Sequence, residues 1–339
     1  MESEKIKKYL IIRLSSLGDI LLTYPLIKII HENEKNIKID FILKEKFVNA
    51  IKTNPFIDHI YSYNEKNKKE IRTQIFSKKY DLIIDLQNNL RSKILYNFNL
   101  TKKFKVKKFK KPTLKKFLLV NLKWNLLKNN KSIALKYIQT YSPTFAENKI
   151  PLYFHINDGI INNAKSIIGN IASKKIIGIC PGAKHYTKRY PTELWKIVIE
   201  DLLFKGFSVI LLGGAEDKQI CEQLNFNNKF FKNLCNDNDL LLTAALMKHC
   251  SAVITNDSAL SHLSSLLQVP AVVIFGSTVK EFGFTPPFEK SVIVENNSLN
   301  CRPCSHIGKS NCPQKHLKCL KDISPQEIIN KLEGILKNG

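Results

Sequence analysis

Residues 251–278, SAVITNDSALSHLSSLLQVPAVVIFGST, leave this chain few folds to choose from. The short β-branched run at 252–255 has the composition of a buried parallel strand. Asn256-Asp257-Ser258 supplies helix-start chemistry, and 259–267 carries helical spacing. Val269-Pro270 stops that helix, and 271–275 is a second apolar strand ending at Gly276. Strand, polar turn, helix and strand make a βαβ unit, which commits the surrounding chain to an open parallel sheet. In such sheets ligands bind at the turns that leave the carboxyl ends of the strands. The N–H groups of Ser258, Ala259 and Leu260, together with the helix dipole, form a candidate anion site there. Asp257 or Ser258 could equally serve as a plain N-cap.

The same alternation runs through the rest of the chain. Strands are predicted over 9–13, 37–43, 57–61 and 80–86, then over 176–180, 208–212, 229–234 and 291–295. Helices fall between many of them, including one over 19–30. The loop 14–18 links the first strand to that helix, so Asp19 is either a helix cap or an ionised carboxylate able to accept a proton. It lacks the GxGxxG pattern, so a dinucleotide is not indicated. Asp85, Gln87, Asn88 and Arg91 stand at the end of a later strand. Lys188 lies in the loop 181–191, where a cation suits phosphate neutralisation. Gly213-Gly214 either lets backbone approach a ligand or serves a tight turn. Residues 142–158, with two prolines, have the composition of a linker. That places domains at 1–155 and 156–339, and 339 residues are enough for two.

Charge narrows the partners. Of the net +24, the segment between Gln87 and Ala146 carries +15 and not one Asp or Glu. A local field of that sign calls for an anionic partner, either nucleic acid or an acidic membrane surface. Phe104, Phe109, Phe117 and Trp124 among the lysines could stack on bases or sit at headgroup level. No apolar run reaches the roughly 20 residues needed to span a bilayer, and no signal peptide is evident. A cytoplasmic protein is expected.

Cys180, Cys221, Cys235 and Cys250 are scattered and have the look of inert core residues. The other four, Cys301, Cys304, Cys312 and Cys319, follow the pattern C-x2-C-x7-C-x6-C in a turn-rich segment. That spacing suits a tetrahedral thiolate site for zinc or iron, with His306 and His316 as possible substitute ligands. Packing thiols or two disulfides are the alternatives. A fully ligated metal would be structural, so no cofactor is expected for catalysis.

Four stretches taken together, RLSSLGDILLTYP (13–25), PGAKHYTKRYP (181–191), LLGGAED (211–217) and TNDSALSHL (255–263), resemble the lipopolysaccharide heptosyltransferases of glycosyltransferase family 9. The resemblance spans nearly the whole chain. It implies a GT-B fold, an α/β architecture of two Rossmann-like doubly wound domains facing a cleft, with the acceptor in the first and the sugar nucleotide in the second. It implies an ADP-heptose donor and an acceptor in the lipopolysaccharide inner core. By motif, Asp19 corresponds to the catalytic base, Lys188 to the phosphate-binding lysine, and Asp257, Ser258, Ala259, Leu260 and His262 to the donor-binding turn. Ala259 stands where many members carry glycine. The family uses no DxD metal pair, so Asp237-Asn238-Asp239 is expected to be a helix cap, and the reaction metal-independent and inverting. The basic segment, residues 91–136, would then dock the enzyme peripherally on the anionic cytoplasmic face of the inner membrane. Transfer to protein hydroxyls is the main alternative. An RNA-binding role would leave Asp19, Lys188 and the 255–263 turn without a use, so no nucleic-acid partner is expected.

Overall fold

In the computed structural model, which describes residues 5–96, 104–237 and 239–337, the β-branched runs pair into two all-parallel sheets. The chain divides into two compact units, Met1–Lys111 with Ile133–His155, and Pro112–Ser132 with Ile156–Gly339.

The first unit contains β1 (Lys7–Ile12), α1 (Leu17–Leu21), α2 (Tyr24–Asn33), β2 (Ile37–Lys44), β3 (His59–Tyr63), α3 (Lys68–Lys78), β4 (Leu82–Asp85), α4 (Leu90–Tyr96) and β5 (Val106–Lys108). The next helix, α5 (Thr113–Asn121), belongs to the second unit, and α6 (Ile133–Tyr141) returns to the first. Sheet order is β3-β2-β1-β4-β5. The order reverses between β1 and β4, where Ile12 stands opposite Asp85 at the carboxyl ends. A doubly wound sheet binds ligands at this reversal. One local expectation fails. The single helix expected over 19–30 is broken, because Pro25 has no N–H to give to Leu21 and its ring would clash there. Within the lysine-rich stretch, Val106–Lys108 adds an edge strand, and lysines are what edge strands tolerate. Phe109 is buried next to it, edge-on to Tyr137 at 5.0 Å. The proline-rich stretch read as a linker packs in part on this unit, with Phe154 stacked on Tyr24 at 5.0 Å.

The second unit runs α7 (Asp158–Ile168), β6 (Ile176–Cys180), α8 (Thr192–Phe204), β7 (Ser208–Leu211), α9 (Lys218–Gln223), β8 (Phe231–Asn233), α10 (Leu240–Lys248), β9 (Ala252–Asn256), α11 (Ala259–Leu266), β10 (Ala271–Phe275), β11 (Ser291–Glu295), α12 (Lys318–Lys321) and α13 (Pro325–Lys337). Sheet order is β11-β10-β9-β6-β7-β8, reversing between β6 and β9, where Cys180 faces Thr255. The inner strands β6, β7, β9 and β10 are buried throughout, which explains their near-continuous apolar composition. The α/β class with two doubly wound sheets is as the sequence predicts.

Residues 112–132 pack on this unit. Leu119 and Leu127 join Val279 and Phe282 in a small apolar cluster. Lys123 Nζ donates to the carbonyls of Cys301 (3.2 Å) and Pro303 (2.8 Å), and Asn130 Nδ2 to that of Glu281 (2.7 Å). Of the basic segment, residues 97–103, including Lys102 and Lys103, lie outside the described residues.

Candidate functional site

Polar side chains gather at both strand-order reversals. In the first unit Ser16, not Asp19, is the N-cap of α1. Asp19 occupies the third helical position of a capping box, and its Oδ2 accepts from Ser16 N (3.1 Å) and Ser16 Oγ (2.8 Å). Its Oδ1 pairs with Arg13 Nη2 at 2.6 Å and accepts from the Tyr137 hydroxyl at 3.3 Å. Burial alone would raise this carboxyl's pKa. The Arg13 charge, helped by the Ser16 and Arg13 hydrogen bonds, outweighs burial and holds it below the ordinary aspartate value of 3.8. Asp19 is therefore held ionised and oriented by its partners.

Arg13 is itself buried. Its Nη1 donates to Leu86 O (2.8 Å), and its guanidinium lies 5.6 Å from the Tyr137 ring centre. Lys111 completes the group by donating to Gln87 O. Burial, with the Arg13 charge next, lowers its pKa, while Asp85 and Asp19 act the other way. Of the four polar residues read at the end of this strand, Asp85 is wholly buried and accepts from Asn88 N, Ser92 Oγ and Tyr96 OH, which makes it a scaffold for α4. Gln87 Oε1 holds the N–H groups of Leu14 and Ser15. Asn88 donates to Phe109 O, and Arg91 is exposed. Sequence reasoning missed Arg13, Lys111 and Tyr137. A charged residue ending an otherwise apolar strand was the available signal for Arg13, whereas Tyr137 is brought in from 118 residues away.

In the second unit Lys188 and Asp257 meet. The ammonium lies 2.7 Å from Asp257 Oδ2, which also accepts from Thr278 Oγ1 at 2.6 Å. Burial works against charge on Asp257, but Lys188 and the Thr278 hydroxyl hold its carboxyl below the ordinary range. Ser258 is the N-cap of α11, and its hydroxyl takes up the Leu260 N–H at 3.3 Å. The expected trio of free N–H groups is thus reduced at Leu260, because a serine in the cap position competes for the same donor. Ser258, Ala259 and Leu260 are half-exposed. His262 is buried one turn further on, with its ring 6.4 Å from that of Phe284, close enough to Asp257 to favour its charge. The turn is fixed from below by Asn256, which donates to Pro181 O (2.7 Å) and accepts from Tyr190 N (3.1 Å).

Gly213 has a plainer role than ligand approach. A Cβ there would meet the Asp217 Cβ at 2.8 Å, and one at Gly182 would lie 1.9 Å from Asp217 Oδ1. The glycines make room for the Asp217 side chain, which accepts from Gly214 N at 3.1 Å and whose carboxyl burial pushes up. Asp239 caps α10 by accepting from Leu241 N and Leu242 N, and Asp237 pairs with Lys218. Asn238 lies outside the described residues.

Cysteines divide in an unexpected way. Cys221 and Cys235, read as inert core residues, form a disulfide between α9 and the loop after β8. A separation of 14 residues did not reveal that the fold lays these segments side by side. Cys180 and Cys250 are buried free thiols. Cys301, Cys304, Cys312 and Cys319 are also free, and all four share one neighbourhood. Burial raises the Cys304 and Cys319 thiols, the latter to about 12, and the charges of the other cysteines add to this. His316 Nε2 lies 4.0 Å from Cys301 Sγ. The donor set is right for zinc or iron, yet among the described residues no three His, Cys, Asp or Glu side chains converge as a ready ligand set.

A sequence profile of glycosyltransferase family 9 (heptosyltransferase) matches residues 69–315. That span holds Lys188, Asp257–His262 and three of the four clustered cysteines, and stops short of Asp19 and Cys319. Lipooligosaccharide heptosyltransferase 2 of Campylobacter jejuni subsp. jejuni serotype O:2 is 27% identical over 339 residues, covering 95% of this chain and 96% of its own. The structure of E. coli ADP-heptose LPS heptosyltransferase II matches with a TM-score of 0.76 at 19% identity, covering 98% of this chain and 99% of that one. The iron-containing dodecameric glycosyltransferase TibC of enterotoxigenic E. coli matches with a TM-score of 0.59 at 14% identity, covering 98% and 80%.

Proposed function

The chain belongs to glycosyltransferase family 9, the heptosyltransferases, and from that premise we propose that it moves heptose from ADP-heptose to the inner core of lipopolysaccharide, with inversion and without a catalytic metal. The observation that carries this reading is the Lys188–Asp257 pair at the head of α11, where the second sheet reverses its strand order. Breaking a sugar–diphosphate bond requires charge stabilisation on the departing ADP. Lys188 supplies a fixed cation for it, and the half-exposed first turn of α11 supplies backbone N–H groups and the positive dipole end. Asp257 keeps the ammonium in place. Asp19 takes the proton of the acceptor hydroxyl as that oxygen bonds to the anomeric carbon and ADP leaves with the electron pair of the broken bond. Ala259 puts only a methyl group at the head of the helix, and His262 lies one turn behind it.

The same reading gives the basic segment a task. Leu114, Phe117, Leu122, Trp124 and Leu126 are 50–69% exposed, within one acid-free stretch that also carries Lys115, Lys116, Lys123 and Lys128. Apolar and aromatic side chains among lysines suit the interface of an anionic bilayer, each lysine adding about 1 kcal/mol of attraction. No helix among the described residues is long and apolar enough to cross a membrane. Peripheral attachment at the cytoplasmic face therefore fits the reading, through residues 91–136. The four clustered cysteines are assigned a structural zinc or iron, in keeping with the iron-containing relative TibC. Their thiols would bind it as thiolates, which in its absence burial disfavours.

The test is transfer and donor hydrolysis across a panel of nucleotide sugars, with Kdo-lipid A, its heptosylated product and serine-containing peptides as acceptors. ADP-heptose turnover on a lipid acceptor supports the proposal. Turnover only on peptides moves the acceptor to protein hydroxyls, and no turnover of any ADP-sugar refutes the donor.

A further inference from the structure

Arg302 sits in the loop that carries Cys301 and Cys304, and its side chain is 4% exposed. A buried guanidinium must have its planar fork of donors met. Here Nε donates to Gly276 O (2.5 Å), Nη2 to Thr278 O (2.7 Å) and Glu295 Oε2 (2.6 Å), and Nη1 to Asn296 O (2.7 Å) and Asn297 Oδ1 (3.1 Å). Two of those acceptors bracket the turn 276–278 that leaves β10. The turn is the direct support of the Lys188–Asp257 pair. Thr278 Oγ1 donates to Asp257 Oδ2, while Ser277 donates to the Thr187 carbonyl through its N–H (3.1 Å) and to the Thr187 hydroxyl through its Oγ (2.9 Å). The cysteine-bearing loop grips the same residues further along. Cys304 N reaches Ser277 O (3.3 Å), Lys309 N donates to Thr187 Oγ1 (2.8 Å), and Thr187 N donates back to Lys309 O (3.1 Å). Space is tight as well, since a Cβ on Gly276 would lie 2.7 Å from Thr187 O.

We propose that Arg302 is a positioning residue for the donor site: by fixing the turn 276–278 it sets the Thr278 hydroxyl on Asp257, and thereby the place of the Lys188 ammonium. Arg302 touches no reacting atom, and its effect passes through Thr278. A lysine keeps the charge but cannot make the two-pronged contact with Gly276 and Thr278. The inference rests on reading Lys188 and Asp257 as the diphosphate site.

The experiment is calorimetric titration with ADP, plus KM and kcat for ADP-heptose, on the unaltered chain, Arg302→Lys, Thr278→Val and the double variant. Valine matches threonine in shape and removes only the hydroxyl. Each single change is expected to weaken ADP and raise the donor KM by roughly 3- to 10-fold, a fraction of a hydrogen bond to a charged group, with kcat moved less. The double variant should resemble the weaker single rather than their product, because both act on one contact. An Arg302→Lys protein that melts earlier but binds ADP normally would reduce Arg302 to a loop fastener and overturn the proposal. So would effects that multiply in full. Should Arg302→Lys not fold, Thr278→Val alone decides, since native ADP affinity there removes the only route claimed. Failure of the unaltered chain to bind ADP would be a different result, refuting the donor reading and this inference with it.

Discussion

Replacing Asp19 by Asn removes the charge of the carboxylate while nearly keeping its shape, so the consequences can be worked out contact by contact. The Oδ2 bonds from Ser16 survive if the amide oxygen faces them, but the amide nitrogen then points at Arg13 Nη2, which now sits 2.6 Å from the carboxylate. Arg13 is left buried beside a donor, with Leu86 O as its remaining hydrogen-bond acceptor among the contacts described above. Removing one partner of a buried ion pair costs about 3–5 kcal/mol. Asp19 retains 16% side-chain exposure, so about 1–3 kcal/mol is the better figure. The variant should therefore fold but melt several degrees earlier. General bases contribute roughly 10²- to 10⁴-fold, and less as their pKa falls away from the working pH. A carboxyl held below 3.8 belongs toward the lower end, so turnover should drop about 10²- to 10³-fold. The assay is ADP release at a temperature well below the variant's melting point, paired with calorimetric ADP affinity. That affinity should be unchanged, because Lys188 and Asp257 belong to the other unit. Turnover within threefold of the unaltered protein, in a folded variant, would remove Asp19 as the base. Loss of ADP affinity in parallel would mark the lesion as structural.

Lys188→Ala should weaken ADP roughly 10- to 100-fold, the worth of a charge-assisted contact, and should also destabilise the second unit by stranding Asp257. Unchanged calorimetry would refute its role. Acid should act through both aspartates. Their folded pKa values are depressed, so the stability they confer is present above the ordinary 3.8 and is lost as pH falls through the lower folded values. The acid limb of kcat/KM should accordingly lie below about pH 4, and a midpoint near pH 6 would point to some other base. Exchanging Phe117, Trp124 and Leu126 for Ser should reduce binding to phosphatidylserine-containing vesicles while sparing turnover of a soluble acceptor; unaltered vesicle binding would remove the membrane reading. Protein purified under reducing conditions should hold about one equivalent of zinc or iron, falling together with melting temperature on Cys312→Ser; elemental analysis of active, freshly reduced protein without metal would leave the four cysteines as packing thiols.

What the sequence made legible follows from burial. Strands covered on both faces must be apolar runs, which is why 176–180 and 271–275 coincide with β6 and β10. Polar residues closing apolar strands marked the turns at the carboxyl ends, and two of those turns stand where the sheets reverse their strand order. Local pattern misled where a longer-range constraint prevailed. Residues 19–30 carry helical spacing throughout, yet one proline divides them. Residues 106–108 have the composition of a solvated basic loop, yet an unpaired sheet edge recruits them. The paired glycines after β7 were open to a ligand or a tight turn, and at Gly213 the Asp217 side chain takes the space.

Partnerships across long separations were the blind spot, and they change how the site has to be understood. Asp19 as a lone carboxylate at a helix start is an ordinary cap. Joined to Arg13 and Tyr137, it becomes a carboxylate whose charge state and orientation are fixed. The cysteine segment gives the stronger case. Its spacing pointed to a fully ligated structural metal with no part in the chemistry. Lys309 nevertheless donates to Thr187 across 122 positions, one residue from Lys188, and Arg302 holds the turn that orients Asp257. A buried guanidinium with five bonds tolerates little displacement, so whatever fixes the cysteines also fixes the loops that present the cation. Stability of that segment and affinity for the diphosphate are then coupled quantities. A cysteine substitution that leaves the sheet intact should still be felt first in donor KM.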